Sequence, residues 1–181
     1  MFIEGLVFAI IIGYILKGRV KNLENVDITR TYLVFISFFI EAFIIIFIRK
    51  GIFIIGEFTY ILDSIMYILL AVFICFNRKN KYIVLMGAGF LLNAIPIFLN
   101  GGAMPVSAKA AETAGITLNI SKEGLYTLIN KDTILWFLGD VLPLTVLRNF
   151  TISIGDIITE VGLILFIITG MKKTAEIKIN K

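Results

Sequence analysis

The sequence predicts an all-α fold: a polytopic transmembrane helix bundle of about five spans, capped by an extracytoplasmic interfacial loop. Three observations predict it. The chain of 181 residues is 59% hydrophobic and only 17% charged, whereas soluble domains carry about 25% charged residues. The apolar residues gather in continuous runs, which suit helices that satisfy their own backbone groups in lipid; a spanning barrel alternates over roughly ten-residue segments. Lysine and arginine cluster between the runs.

The first run covers about residues 1–16, with Glu4 near its start and Lys17, Arg19 and Lys21 just after it. A secretory signal has the opposite order, basic first and then apolar, followed by a small-residue cleavage site. The segment therefore reads as a retained helix with its N-terminus outside. It is short, about 24 Å at 1.5 Å per residue, so it thins the bilayer locally or packs inside the bundle. Its Gly5, Ala9 and Gly13 repeat small residues every four positions, as a close helix contact requires.

Further spans fall at about residues 32–48, 52–76, 82–99 and 153–171, with a cytoplasmic tail over 172–181. With the N-terminus outside, eleven Lys and Arg fall on the inner side and six on the outer. Four of the outer six lie in the long loop, and Arg49 and Lys50 dissent. The balance puts the N-terminus outside and the C-terminus in.

The outer loop, about residues 100–152, is not uniformly polar. Residues 107–114 read as a short exposed helix. Ser121 is placed to cap another, running through Leu125 and Leu128. Residues 134–147 turn apolar again around Trp136, broken by Gly139, Asp140 and Pro143. That stretch is too short and interrupted to span. The tryptophan suits the headgroup layer, so the segment reads as interfacial or re-entrant, covering the bundle. A sixth span there would put the basic tail outside, against the charge rule.

Composition also excludes chemistry. The chain has no histidine, which removes the commonest general base and metal ligand and excludes Ser-His-Asp and Cys-His catalysis. Its single cysteine, Cys75, sits in an apolar run and reads as a small filler. The net charge of +4 lies in loops and reflects topology rather than affinity for nucleic acid. No metal or cofactor site is predicted.

Charged side chains inside apolar spans are costly and mark functional sites. Here they are Glu41, Glu57, Asp63, Asp156 and Glu160, all acidic, with no basic residue in any span to pair with them. Such acids are protonated and hydrogen-bonded between helices, or face water, or hold a cation. In the third span Gly56, Tyr60, Asp63 and Tyr67 form a polar stripe. Gly89, Asn93, Pro96 and Asn100 form another in the fourth. Lipid solvates neither stripe, so the two should face one another. Glu41, Asp63 and Glu160 are the residues a proton or cation pathway would use.

Three motifs meet at the outer boundary: residues 100–107 around Asn100, Gly101, Gly102, Met104 and Pro105; residues 137–143 around Asp140; and residues 153–156, ending in Asp156. Two nearby aspartates form an acid–base pair when they share one proton. The plainer reading is that Ser153 and Asp156 form an S-x-x-D helix cap and that Gly139-Asp140 makes a turn.

At these motifs the chain resembles an uncharacterised family of bacterial five-helix membrane proteins, a domain of unknown function. The resemblance rests on N-G-G-x-M-P-V at residues 100–106, L-G-D-x-x-P at 138–143 and S-I-G-D at 153–156. It implies the bacterial cytoplasmic membrane and the topology above, and no activity. A narrower resemblance, to lipoprotein signal peptidases, rests on Asp140 and the stretch from Phe150 to Asp156. The chain lacks their Asn- and Arg-bearing motifs and has one helix more.

The sequence thus favours a non-catalytic membrane component that binds lipid or an envelope or membrane-protein partner. The contact surface would comprise Asn93, Asn100, Gly101, Gly102, Met104, Pro105, Asp140 and Asp156. One alternative is an aspartate-dependent hydrolase using Asp140 and Asp156. The other is a proton- or cation-handling subunit using Glu41, Asp63 and Glu160.

Overall fold

The computed structural model describes residues 2–54, 56–117, 125–146 and 149–173. Four helices in it are long and apolar enough to cross a membrane: α2 (Tyr32–Arg49), α3 (Glu57–Phe76), α4 (Lys81–Leu99) and α6 (Ile154–Met171). The first helix, α1 (Phe2–Ile15), has only 14 residues, about 21 Å at 1.5 Å per residue. It lies along α6. Ala9 is fully buried there, and a β-carbon on Gly13 would meet the Met171 sulfur. The small-residue stripe of α1 is therefore a packing seam.

The deepest seam joins α4 and α6. A β-carbon on Gly89 would strike Thr159 Oγ1, one on Gly155 would strike Asn93 Oδ1, and one on Gly162 would come within 2.7 Å of Met86. These glycines bring the two backbones together, and Thr159 Oγ1 donates to the Gly155 carbonyl at 2.9 Å. Helix α2 packs on α3, where buried Ser37 donates to Leu33 O at 2.8 Å and Met66 O at 3.3 Å. The α2–α3 corner is closed by rings of Phe43, Phe47, Phe53 and Phe58, with centroids 4.2–5.9 Å apart.

Helix α3 begins five residues later than the apolar run predicts. Gly51, at φ +69°, turns the chain after α2, and the helix starts at Glu57. Glu57 is accordingly an exposed first-turn residue, not an acid inside a span. At this position an acid complements the positive end of the helix dipole.

The loop between α4 and α6 folds over one end of the bundle. It carries β1 (Met104–Val106), α5 (Ala108–Thr113), β2 (Tyr126–Leu128), a 3-10 turn at Trp136–Leu138, β3 (Leu142–Leu144) and β4 (Phe150–Ile152). Strands β1 and β2 pair in parallel, Met104 opposite Tyr126; β3 and β4 pair antiparallel, Leu142 opposite Ile152. A bridge between Val106 and Asp140 extends the first pair. Two expectations need correction. Residues 126–128 form a strand and not a helix, because the Met104 amide takes the Leu125 carbonyl at 2.7 Å; Ser121 lies outside the described residues. Helix α5 is capped by Ser107, but it is not an exposed helix, since Ala110, Ala111 and Ala114 are buried.

Asn100 fastens this cap. Its amide donates to Pro96 O at 2.7 Å and Ile134 O at 2.9 Å, and its carbonyl accepts the Ile134 amide at 2.9 Å. At the opposite face Asn77 ties α3 to Thr29, and Asn22 donates to the last carbonyl of α6, Met171 O, at 2.7 Å. Both bundle ends are thus closed by asparagine side chains that satisfy backbone groups left open where helices stop.

Candidate functional site

Where cap and bundle meet, a cavity of about 160 Å³ opens between α2, α3, α4, α6 and the loop. Its polar lining is Glu41 from α2, Asp63 and Tyr67 from α3, Asn93 from α4, Asp156 from α6 and Tyr126 and Asp140 from the cap. Apolar walls come from α2–α4 and from the β1–β2 pair, including Met104 and Leu125. The volume corresponds to about five waters at roughly 30 Å³ each.

Each acid reaches the cavity for a local reason. Asp63 and Tyr67 lie four residues apart on one face of α3. Asp156 is fixed by a capping box: its amide takes Ser153 Oγ at 2.9 Å while its Oδ2 accepts the Ser153 amide at 2.9 Å. Its other oxygen accepts the Asn93 amide at 2.8 Å, and Ser153 Oγ donates to Asn93 Oδ1 at 2.7 Å. Asp140 is held through its backbone: its amide donates to Pro105 O at 2.8 Å and its carbonyl accepts the Ser107 amide at 3.0 Å.

The acids differ in what satisfies them. Asp156 is fully engaged. Asp63 is 2% exposed, and neither carboxyl oxygen has a hydrogen-bond partner among the described residues. Asp140 is 4% exposed and its Oδ1 also lacks one. Burial, then the nearby charge of Asp156, pushes the Asp140 carboxyl up from the usual 3.8 to about 8. Buried carboxyl oxygens are normally bonded. Three oxygens without a donor thus belong to two residues that line one small polar cavity. Among the described residues no three acids are grouped closely enough to hold a bare metal ion.

The residues singled out in the sequence separate here. Glu41, Asp63, Asn93, Met104, Asp140 and Asp156 line the cavity. Glu160 does not; it faces α1, where a β-carbon on Gly5 would overlap its carboxylate. A pathway through Glu41, Asp63 and Glu160 is therefore not formed: Asp140 and Asp156 take the place of Glu160. Asn100 is a fastener. Gly101 and Gly102 make its turn at φ +77° and +83°, with Gly102 against Tyr60. Residues 102–106 and 139–140 are buried. Gly102, Met104, Pro105 and Asp140 are buried and so do not offer an outer contact surface; Met104 and Asp140 line the cavity instead. Sequence reasoning missed the role of Ser153 in orienting Asn93 and the wall formed by Leu125 and Tyr126. Only the parallel pairing of β1 with β2 reveals that wall.

Fold and site together define an α-helical membrane bundle with an acid-lined cavity under a cap. The chain belongs to the DUF5317 family, a family of unknown function whose profile matches residues 25–168. It is similar to an uncharacterized protein of Thermotoga maritima, 26% identical over 170 residues, covering 93% of this chain and 90% of the relative. No solved structure matches the chain.

Proposed function

We propose that the protein is a non-catalytic component of the cytoplasmic membrane that binds a positively charged ligand in the cavity beneath an extracytoplasmic cap. One observation carries this reading: Asp63, almost wholly buried and with two unpartnered carboxyl oxygens, lines a cavity together with Glu41, Asp140 and Asp156. A buried acid without a basic partner keeps its proton or takes up a cation, and carboxyl oxygens without donors suit the second. The excess of Lys and Arg on the side opposite the cap supports the orientation. Exposed Trp136, Phe137 and Val146 on the cap suit contact with lipid headgroups.

The burial of Gly102, Met104, Pro105 and Asp140 favours an internal ligand over an envelope partner docked on these motifs. Asp156 is committed to Ser153 and Asn93, which favours binding over a shared-proton catalytic pair with Asp140. The test is calorimetry on the purified protein in a non-ionic detergent, titrated with ethylammonium. Saturable binding, lost in Asp63→Asn and in Asp140→Asn, is the expected result. Heats that are absent, or that persist unchanged in both variants, overturn the proposal.

A further inference from the structure

A second, larger cavity adjoins the acidic one. It is a groove of about 640 Å³ between α3 and α4, walled by Tyr60, Tyr67, Ala71, Phe90, Leu91 and Phe98 among others. It runs along α3 from Tyr60 to Ile74, about 21 Å at 1.5 Å per residue, parallel to the helices. Its lining is almost entirely apolar, and exposed Leu91 and Ala71 flank it on the lipid side. Tyr67 belongs to both cavities. Its ring meets Phe98 edge-on at 5.4 Å, at the border the two cavities share.

We propose that the ligand is a single-chain amphiphile with a primary ammonium head, seated with its nitrogen in the acidic cavity and its hydrocarbon chain in the α3–α4 groove. This rests on the cation-binding reading and deepens it. Charge complementarity selects the head. Asp63 Oδ1, Asp63 Oδ2 and Asp140 Oδ1 are three acceptors without donors among the described residues. A primary ammonium carries three N–H donors, whereas a quaternary one carries none. Among the described residues no three acids are grouped as a metal site requires, whereas an ammonium head needs only these three oxygens.

The same acids select against phospholipids. In a zwitterionic phospholipid a phosphate sits beside the ammonium, and it would enter a wall of like charge. The tail is selected by the groove, whose direction is that of lipid chains and whose length exceeds what a small amine needs. Asp63 lies six residues into α3, about 9 Å below its start, so a head seated there leaves its chain beside the apolar part of the helix.

The experiment compares dodecylamine, dodecyltrimethylammonium and ethylamine on the purified full chain in a non-ionic detergent, by calorimetry and native mass spectrometry. Dodecylamine is expected to bind at least ten-fold more tightly than ethylamine and than the quaternary probe. Asp63→Asn and Asp140→Asn should each weaken it at least ten-fold. Ala71→Phe, which adds bulk to the groove from an exposed position, should reduce dodecylamine to the affinity of ethylamine and leave ethylamine unchanged. Equal affinity of the two amines, with no effect of Ala71→Phe, overturns the amphiphile and leaves the cation site standing. Equal binding of the quaternary probe overturns the assignment of the head. No binding of any cation overturns both readings.

Discussion

Helix α4 has two faces that obey opposite rules. Toward α6 it is locked: Gly89 lies against Thr159, Gly155 against Asn93, and Gly162 against Met86. Toward α3 it stands apart, and the space between them is an apolar groove of about 640 Å³. In lipid, helices associate through close packing and not through hydrophobic collapse, so small residues decide where backbones meet. The glycines of α4 and α6 make one face a rigid wall. Phenylalanines and leucines on the other face leave room for a guest. A buried polar site needs both, a frame that holds its acids in place and a side through which something enters.

The sharpest way to break the comparison is Gly155→Val. The new β-carbon would overlap Asn93 Oδ1 and lie 2.7 Å from Gly89 O, which is backbone and cannot move aside alone. Overpacking of this kind costs about 3 kcal/mol or more. Thermal unfolding in detergent should show a large fall in Tm or no recoverable folded protein. An unchanged Tm would mean that the α4–α6 seam is not rigid.

A smaller effect is expected from Asn93→Ala, which leaves the fold of α4 intact and removes the hub of the seam. It deprives Asp156 Oδ1 of its donor and the Ser153 hydroxyl of its acceptor. Unpartnering buried polar groups costs about 1–3 kcal/mol each. A loss of about 2 kcal/mol in a denaturant titration would support the locked face. A loss no larger than that of an exposed substitution would argue against it.

Part of this contrast was legible in the sequence. Glu41, Asp63 and Asp156 announce themselves because an acid in an apolar run is costly and must find a partner, a proton or water. The Gly5-Ala9-Gly13 stripe is readable because a spacing of four marks one helix face. Gly89 and Gly155 are not readable as a pair, since their meeting depends on how two helices 66 positions apart dock. Asp140 was legible as a polar residue but not as a wall of the cavity. Its placement comes from three-residue strands, too short to show any alternation, and from the bridge to Val106. The apolar run does not show the start of α3 because residues 52–54 are as apolar as the helix they precede, and the N-cap at Gly56 marks the break between them.

A third test asks whether the cap belongs to the rigid frame. Asp140 has its carboxyl raised from the usual 3.8 to about 8 by burial and by Asp156. A raised folded value means that the folded protein binds the proton more tightly than the unfolded chain. The stability this contributes is fully present below about pH 4 and is lost as pH rises through about 8. The Tm should therefore fall across that window, and Asp140→Asn should flatten this part of the decline. Glu41, Asp63 and Asp156 also face the cavity and are present in both proteins. Parallel pH profiles for the two would show that Asp140 is not held buried by the cap.

The smallest expected effect is on the open face. Leu91 lies two residues from Gly89 on α4, yet it is 62% exposed and borders the groove. Leu91→Ala removes apolar volume where no neighbour is packed tightly against it, so no enclosed cavity forms and the transfer cost in lipid is slight. The change in stability should stay within about 0.5 kcal/mol, the range of substitutions away from packed features. Gly89→Ala is the matched control, because its single added carbon would strike Thr159 Oγ1. If Leu91→Ala lowers the Tm as much as Gly89→Ala does, the groove is occupied by packed protein, a second copy of the chain or a partner helix, and α4 has no open face. If only Gly89→Ala does so, the asymmetry of the helix holds, and the space between α3 and α4 is free for a hydrocarbon chain.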